Sequence, residues 1–134
     1  MLERLVISAA LFALGLLVYK YLIHHQIRRL MTIRVDEPIF NDLKPGIPSI
    51  VYFTTPNCIP CKTRQQPALA ELVQFIGDQG VQVVRIDATE NPETADRWGV
   101  LTAPTTFVLD EKHNVLAINH GIADAGKLRR QLSY

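Results

Sequence analysis

An uncharged apolar run from Leu5 to Val18 divides the chain into two parts that need different surroundings. Continued to Ile23 as a helix, the run would be about 28 Å long at about 1.5 Å per residue, close to the hydrocarbon thickness of a bilayer. Imidazole and basic side chains then indicate a return to water, at His24, His25, Arg28 and Arg29. We therefore expect residues 1–30 to form a single-pass membrane anchor, with residues 5–23 inside the lipid bilayer.

Two other interpretations of the apolar run stay open. A secretory signal peptide would need small residues at a cleavage site behind the run, and no alanine lies between Ala13 and Ala68. A helix buried in the core would need a larger domain to cover an apolar surface on every side. A membrane anchor fits the sequence better than either.

The remainder of the chain is long enough for one domain. Domains most often have roughly 100–150 residues, and the whole chain has 134. Its hydrophobic fraction of 48% and charged fraction of 20% suit a packed domain rather than a disordered segment. Because 14 basic residues stand against 13 acidic ones, no strong positive field favours nucleic acid as a partner.

A stretch of turn-forming residues separates the apolar run from the domain. Pro38, Pro45 and Pro48, with Gly46 among them, exclude a long helix there. We therefore expect a linker and lead-in over residues 31–46 and a folded domain over residues 47–134.

Within the domain, strands and helices alternate. The hydrophobic patterns predict strands at Ile50–Phe53, Val81–Ile86, Thr105–Leu109 and Val115–Asn119. They predict helices around Leu69–Ile76, from Asn91 to about Trp98, and after an Asp124 cap. The alternation up to Leu109 suggests parallel pairing through crossovers, whereas the polar residues 110–114 suggest a hairpin. We expect an α/β fold with a mixed central sheet flanked by helices.

Cys58 and Cys61 are the only cysteines, and they lie three positions apart. A structural disulfide between them would close too short a loop to restrain much of the unfolded chain. A zinc site would need two further ligands, and the four histidines lie far from the pair at no ligand spacing. We therefore expect a redox-active dithiol without a metal or cofactor, and we keep a metal carrier and an inert pair as alternatives.

The position of the pair, between a buried strand and a helix, suits disulfide exchange. Cys58 would face unpaired N–H groups and the positive end of the helix dipole, which favours the reactive thiolate over the thiol. Cys61, one turn further on and deeper, could then attack the mixed disulfide and release the substrate. Pro60 fits the first helical turn and stiffens the segment between the two sulfurs.

From about Ile47 to Leu132 the sequence resembles thioredoxin. N-C-I-P-C-K at residues 57–62 is similar to the family's W-C-G-P-C-K, and V-V-R-I-D-A-T-E-N-P at residues 83–92 is similar to its next strand and Asn-Pro turn. R-W-G-V-L-T-A-P-T-T-F at residues 97–107 resembles the segment with the family's cis-proline. Gly121 and D-A-G-K-L at residues 124–128 resemble its closing glycine and last helix. The matches follow the family's order with nearly its spacing.

The resemblance implies a thioredoxin-like fold and thiol–disulfide oxidoreductase activity, with Cys58 and Cys61 as the catalytic pair. It implies that the Ala103–Pro104 bond is cis, that Ala103 offers main-chain hydrogen bonds to an extended substrate, and that Pro104 shapes the groove beside Cys58. Three further residues would shape the active-site surface: Asn57, Ile59 and Pro60.

Four positions depart from the family's pattern. Asn57 replaces a tryptophan, so the flat apolar lip before the first cysteine is missing. Tyr52 replaces the buried aspartate that helps move the proton off the second cysteine, and Arg85 replaces that aspartate's lysine partner. Pro67 comes one residue later after the dithiol than the pattern expects. Recognition should therefore differ from that of thioredoxin, and a redox-silent adaptor stays open as an alternative function.

The expected partners are a protein disulfide or dithiol substrate, an upstream thiol reductant or oxidant, and the lipid bilayer. Basic residues flank the apolar run unevenly, because Arg4 precedes it and Lys20, Arg28, Arg29 and Arg34 follow it. This bias places the domain in the cytoplasm, whereas disulfides persist on the extracytoplasmic side. The sequence slightly favours the cytoplasmic orientation.

Overall fold

The computed structural model describes residues 1–31 and 38–134, and of Leu2 and residues 23–31 it describes the backbone only. The chain divides into two compact units, Met1–Thr32 and Ile33–Tyr134. The predicted linker and lead-in at residues 31–46 therefore falls partly, at residues 32–37, outside the described residues.

The first unit contains one long helix, α1 (Leu2–Met31). Its segment Glu3–Leu22 has 20 residues and a mean hydropathy of 2.0, and none of this segment is buried. By length and composition the segment could cross a membrane, and a signal sequence near an N-terminus would share these properties. The helix is confirmed, and its insertion into a bilayer stays a prediction.

The second unit, where it is described, carries four strands and the remaining helices. In chain order these are α2 (Pro38–Asp42), β1 (Ser49–Thr54), α3 (Gln66–Ile76), β2 (Gln82–Asp87), α4 (Pro92–Arg97), β3 (Thr105–Leu109), β4 (Val115–His120) and α5 (Ala125–Gln131). A π-helical segment, Cys61–Gln65, leads into α3. All four strands lie within one residue of their predicted bounds, because runs of apolar and β-branched residues bounded by turn formers leave a clear pattern in the sequence.

The four strands form one mixed sheet in the order β2-β1-β3-β4. β1 pairs parallel with β2 and antiparallel with β3. β3 and β4 form the predicted antiparallel hairpin. The predicted α/β fold with a mixed central sheet is confirmed.

The expected parallel pairing up to Leu109 is wrong for β3. A parallel β3 would need a crossover that returns the chain along the whole sheet. β3 instead starts at the end of the sheet where β1 and β2 stop, and it runs back antiparallel to β1.

β1 is buried along its whole length, and its side chains alternate between two cores on opposite faces of the sheet. On one face, Ile50 and Tyr52 pack in a cluster with Leu69 and Leu72 of α3 and with Leu128 of α5. Burial of each large apolar side chain contributes about 1.5–3 kcal/mol. This core therefore holds the two long helices of the unit against the central strand.

The core on the other face is aromatic. Phe53, Trp98 and Phe107 lie with ring centroids 4.8–5.8 Å apart. Phe40 of α2 packs on Trp98 at 5.9 Å, and Leu43 is buried in the same cluster. Residues 38–43, which the sequence assigned to the lead-in, thus contribute to the core.

Two predicted turns have the expected hydrogen bonds. The Lys127 N–H donates to the Asp124 carboxylate at 2.7 Å, so Asp124 caps α5. The Asp110 carboxylate accepts from the backbone N–H groups of Lys112 and Asn114 in the β3–β4 loop. The cap fixes the α5 end of the β4–α5 connection, which lies beside the site described next.

Candidate active site

The two cysteines lie where β1 leaves the sheet and helical structure begins. β1 ends at Thr54, a turn follows, and helical backbone runs from residue 59 to residue 76. Cys58 and Cys61 form a disulfide with an S–S distance of 2.07 Å. Cys58 keeps 9% of its surface exposed, whereas Cys61 is fully buried. Of the two, only Cys58 offers surface to an approaching molecule.

The backbone next to the pair donates hydrogen bonds to the first cysteine. The Cys61 N–H lies 3.2 Å from Cys58 Sγ, and the Lys62 N–H lies 3.3 Å from the Cys58 carbonyl oxygen. An N–H group that donates to sulfur stabilises negative charge on it. The geometry therefore favours Cys58 as the thiolate when the pair is reduced.

The π-helical segment accommodates the extra residue between the dithiol and Pro67. The Gln66 N–H donates to the Cys61 carbonyl, five residues back instead of the four of an α-helix. Pro67 then falls in the first turn of α3, where a residue without an N–H group is tolerated. The π-helical turn thus takes up the one extra residue that separates Pro67 from the dithiol. Gln65, the last residue of this segment, is completely buried.

The fold brings a distant segment to the dithiol. The Ala103–Pro104 peptide bond is cis, as the resemblance implied. Ala103 packs against the buried cluster that contains Cys58 and Cys61. Pro104 is buried, and its carbonyl accepts the Gly121 N–H at 2.9 Å. The substrate-binding roles of Ala103 and Pro104 stay predictions.

Exposed side chains flank the reactive residues. Asn57, Ile59 and Pro60 all lie at the surface, next to the cysteines in the chain. Leu101, two residues before Ala103, is 91% exposed. Leu101 was not among the residues predicted from the sequence, although its position in a loop just before the A-P-T motif was a visible signal.

Tyr52 fills the core on the dithiol side of the sheet. It belongs to the same buried cluster as Cys58 and Cys61. Its hydroxyl is buried and has no hydrogen-bond partner within residues 1–31 and 38–134. Arg85 is its register partner on β2, and the Arg85 side chain is exposed. The position of the family's buried carboxylate is thus taken by an uncharged side chain.

Asp87 ends β2 and forms its own turn. The Thr89 hydroxyl donates to the Asp87 carboxylate at 2.6 Å, and the Thr89 N–H donates at 2.8 Å. The hydroxyl hydrogen bond is the main cause that lowers the pKa of Asp87 below its ordinary value. The carboxylate is therefore ionised at neutral pH.

Comparison with known proteins supports the resemblance. The thioredoxin family model matches residues 35–133. Thioredoxin of Bacillus subtilis is 46% identical over 59 residues, which are 44% of this chain and 55% of that protein. Thioredoxin 1 of Synechococcus elongatus is 34% identical over 73 residues, which are 54% of this chain and 66% of that protein. The alignments span between 55% and 66% of the length of these two relatives.

Solved structures share the fold at lower identity. Mitochondrial thioredoxin 3 of Saccharomyces cerevisiae, in its oxidised form, has a TM-score of 0.56 at 24% identity, covering 67% of this chain and 79% of that chain. StoA of Bacillus subtilis has a TM-score of 0.53 at 20% identity, covering 66% of this chain and 84% of that chain. These similarities show a thioredoxin-like fold. Because the family model covers most of the chain and the fold agrees with it, this protein belongs to the thioredoxin family.

Proposed function

We propose that this protein is a thiol–disulfide oxidoreductase that exchanges electrons between its Cys58–Cys61 pair and protein disulfides or dithiols near a membrane. The observation that carries the proposal is the pair itself. A disulfide joins a partly exposed Cys58 to a buried Cys61 at the start of a helix, and a backbone N–H donates to Cys58 Sγ. Membership of the thioredoxin family supports the same reaction class.

In the reducing direction, the Cys58 thiolate attacks one sulfur of a substrate disulfide. A mixed disulfide forms, and the other substrate sulfur leaves as a thiolate that takes up a proton. The Cys61 thiolate then attacks Cys58 Sγ, the Cys58–Cys61 bond forms, and the second substrate sulfur leaves and is protonated. Two electrons pass from the dithiol to the substrate, and the two protons come from the cysteine thiols through solvent.

The pair must be regenerated after each turnover. An upstream thiol reductant would reduce the Cys58–Cys61 disulfide after substrate reduction, and a thiol oxidant would restore it after substrate oxidation. Both directions use the same two sulfurs. A measured reduction potential of the pair would decide which direction operates.

The substrate would be an extended segment beside the dithiol. The main chain of Ala103 would hydrogen-bond to it, and Pro104 would form the floor of the groove. Asn57, Ile59 and Pro60 would contact the substrate around the cysteines. Their exposure and the contact of Ala103 with the cluster that contains both cysteines support this assignment.

Insulin reduction tests the reaction directly. The full chain, purified in mild detergent, should accelerate the reduction of insulin by dithiothreitol, which is followed by the turbidity of the precipitating insulin chain. The Cys58→Ser variant is the matched control because it keeps the fold but lacks the attacking sulfur. A wild-type chain no faster than Cys58→Ser would instead support a redox-silent adaptor.

We further propose that residues 1–30 anchor the protein in a membrane, with the domain at residues 47–134 on the cytoplasmic side. The apolar segment Glu3–Leu22 supports the anchor, and the excess of basic residues after the run supports the orientation. Intact cells would be reduced and then treated with a membrane-impermeant thiol reagent. Labelling of Cys58 only after lysis is the expected result, and labelling without lysis would place the domain outside.

A further inference from the structure

The side chain of Gln65 joins the dithiol helix to a loop far away in the sequence. Its Nε2 donates to the Ala123 carbonyl at 3.0 Å, and its Oε1 accepts the Ala123 N–H at 2.9 Å. Gln65 and Ala123 are both fully buried. One amide thus satisfies both backbone groups of one residue inside the core.

The π-helical segment creates this contact. Cys61 and Gln65 are its first and last residues, and both are buried, whereas the three residues between them are exposed. The segment therefore carries the second cysteine and the amide on one inward face. A displacement of Gln65 would be transmitted to the turn that holds Cys61.

The loop that Gln65 contacts leads on to the predicted substrate segment. Ala123 lies in the buried cluster with both cysteines. Two positions before it, the Gly121 N–H donates to the Pro104 carbonyl at 2.9 Å. Gly121 has a φ of 94°, a backbone conformation that residues with a Cβ atom rarely adopt. The backbone conformation that directs the Gly121 N–H to the Pro104 carbonyl therefore requires glycine. Hydrogen bonds and chain connectivity thus link Gln65 to Ala123, Gly121 and Pro104.

We propose that Gln65 is a positioning residue for protein substrates: it holds the loop 121–124, and through it Pro104, in place beside Cys58. This inference rests on the proposed function of the dithiol. A polypeptide substrate needs the Pro104 segment and the loop at fixed positions, since a small displacement of binding groups lowers the rate of a positioned reaction. A small disulfide needs only access to the Cys58 sulfur.

The chain contains a matched control for this contact. The Gln82 side chain makes the same pair of bonds to one residue, because its Oε1 accepts the Lys44 N–H at 2.9 Å and its Nε2 donates to the Lys44 carbonyl at 2.8 Å. Gln82 pairs with Ser49 at the start of β1, whereas the dithiol follows the end of β1. Loss of this second amide contact should leave the site intact.

The test compares the full-length wild type with Gln65→Met and Gln82→Met. Each is assayed for reduction of insulin and of the small disulfide hydroxyethyl disulfide, at a temperature where circular dichroism shows all three folded. We expect Gln65→Met to lose about tenfold or more in kcat/KM for insulin, mainly through KM, and less than about threefold for the small disulfide. Gln82→Met should stay within about twofold of wild type on both substrates.

Equal losses on both substrates, or an unchanged Gln65→Met, would overturn the proposal, as would the same selective loss in Gln82→Met. If Gln65→Met does not fold, Gln65→Asn replaces it, since its amide is one methylene too short to make both bonds, and the same outcomes apply. A wild type inactive on both substrates would instead reject the proposed oxidoreductase function.

Discussion

Replacement of Tyr52 by phenylalanine tests whether this residue only fills the core or also moves protons. The Tyr52 ring is packed beside Ile50, Leu69 and Leu72 in the cluster that contains the dithiol. Its hydroxyl is buried and has no hydrogen-bond partner in the part of the chain that the structure describes. Phenylalanine keeps the ring and removes only the oxygen atom.

The expected change in stability follows from that hydroxyl. A buried polar group without a partner costs about 1–3 kcal/mol, because it loses its hydrogen bonds to water and gains none. Tyr52→Phe should therefore raise the free energy of unfolding by about 1–2 kcal/mol. For a domain of this size, each kcal/mol corresponds to an increase in Tm of about 4–8 °C.

Tyr134→Phe is a control substitution of the same kind, for which we expect the free energy of unfolding to change in the opposite direction. Its hydroxyl donates to the Gly80 carbonyl at 3.2 Å, and the side chain is 56% exposed. Tyr134→Phe should therefore lower the free energy of unfolding by up to about 1 kcal/mol. Urea unfolding of the wild type and both variants, followed by circular dichroism, gives the comparison.

Insulin reduction by the same proteins tests the chemical role of Tyr52. General acid–base catalysis contributes roughly 10²–10⁴-fold, so a rate within about twofold of wild type would show that the hydroxyl does not relay the Cys61 proton. We expect that outcome, because the hydroxyl has no hydrogen-bond partner among residues 1–31 and 38–134 through which a proton could pass. A large loss of rate in Tyr52→Phe, or a loss of stability, would refute the reasoning.

Four further substitutions test individual residues. Cys61→Ser should accumulate mixed disulfides with substrates, seen on non-reducing gels, and Cys58→Ser should not, because only Cys58 is accessible for the first attack. If Cys58→Ser alone traps substrates, the roles of the two cysteines are reversed. Thr89→Val should raise the pKa of Asp87 towards its ordinary value in an NMR titration. Because the folded-state pKa of Asp87 is lowered, its contribution to stability is present above the ordinary pKa and is lost as the pH falls through the folded-state pKa. Thr89→Val should therefore make the loss of stability on acidification smaller. An unchanged titration of Asp87 would contradict the role of the Thr89 hydroxyl. Asp124→Ala should lower the free energy of unfolding by about 1 kcal/mol in urea, since the N-cap bond to Lys127 is lost, and no change would argue against the cap.

Local patterns in the sequence predicted the elements and the reactive pair. The apolar run at Ile50–Phe53 identified a buried strand, and the spacing of Cys58 and Cys61 identified the dithiol. Both depend on residues close together in the chain, where periodicity and turn chemistry act directly. The Asp124 cap was predictable for the same reason.

Three features that depend on distances across the fold were not predicted. The direction of β3 depends on the end of the sheet at which the chain re-enters after α4, and the alternation of strands and helices does not specify that end. The late Pro67 was noticed as a departure, but its accommodation by a π-helical segment required the backbone. The contact between Gln65 and Ala123 joins residues 58 positions apart, and no local pattern marks either partner.

The aromatic core has a practical consequence for measurements on this protein. Trp98 is the only tryptophan of the chain, and it packs between Phe53 and Phe107. Tyr52 and the dithiol lie in the core on one face of the sheet, and Phe53 and Trp98 lie in the core on the other face. The sheet therefore lies between the indole and the two sulfurs. We therefore expect tryptophan fluorescence to report unfolding and to depend little on the oxidation state of the cysteines.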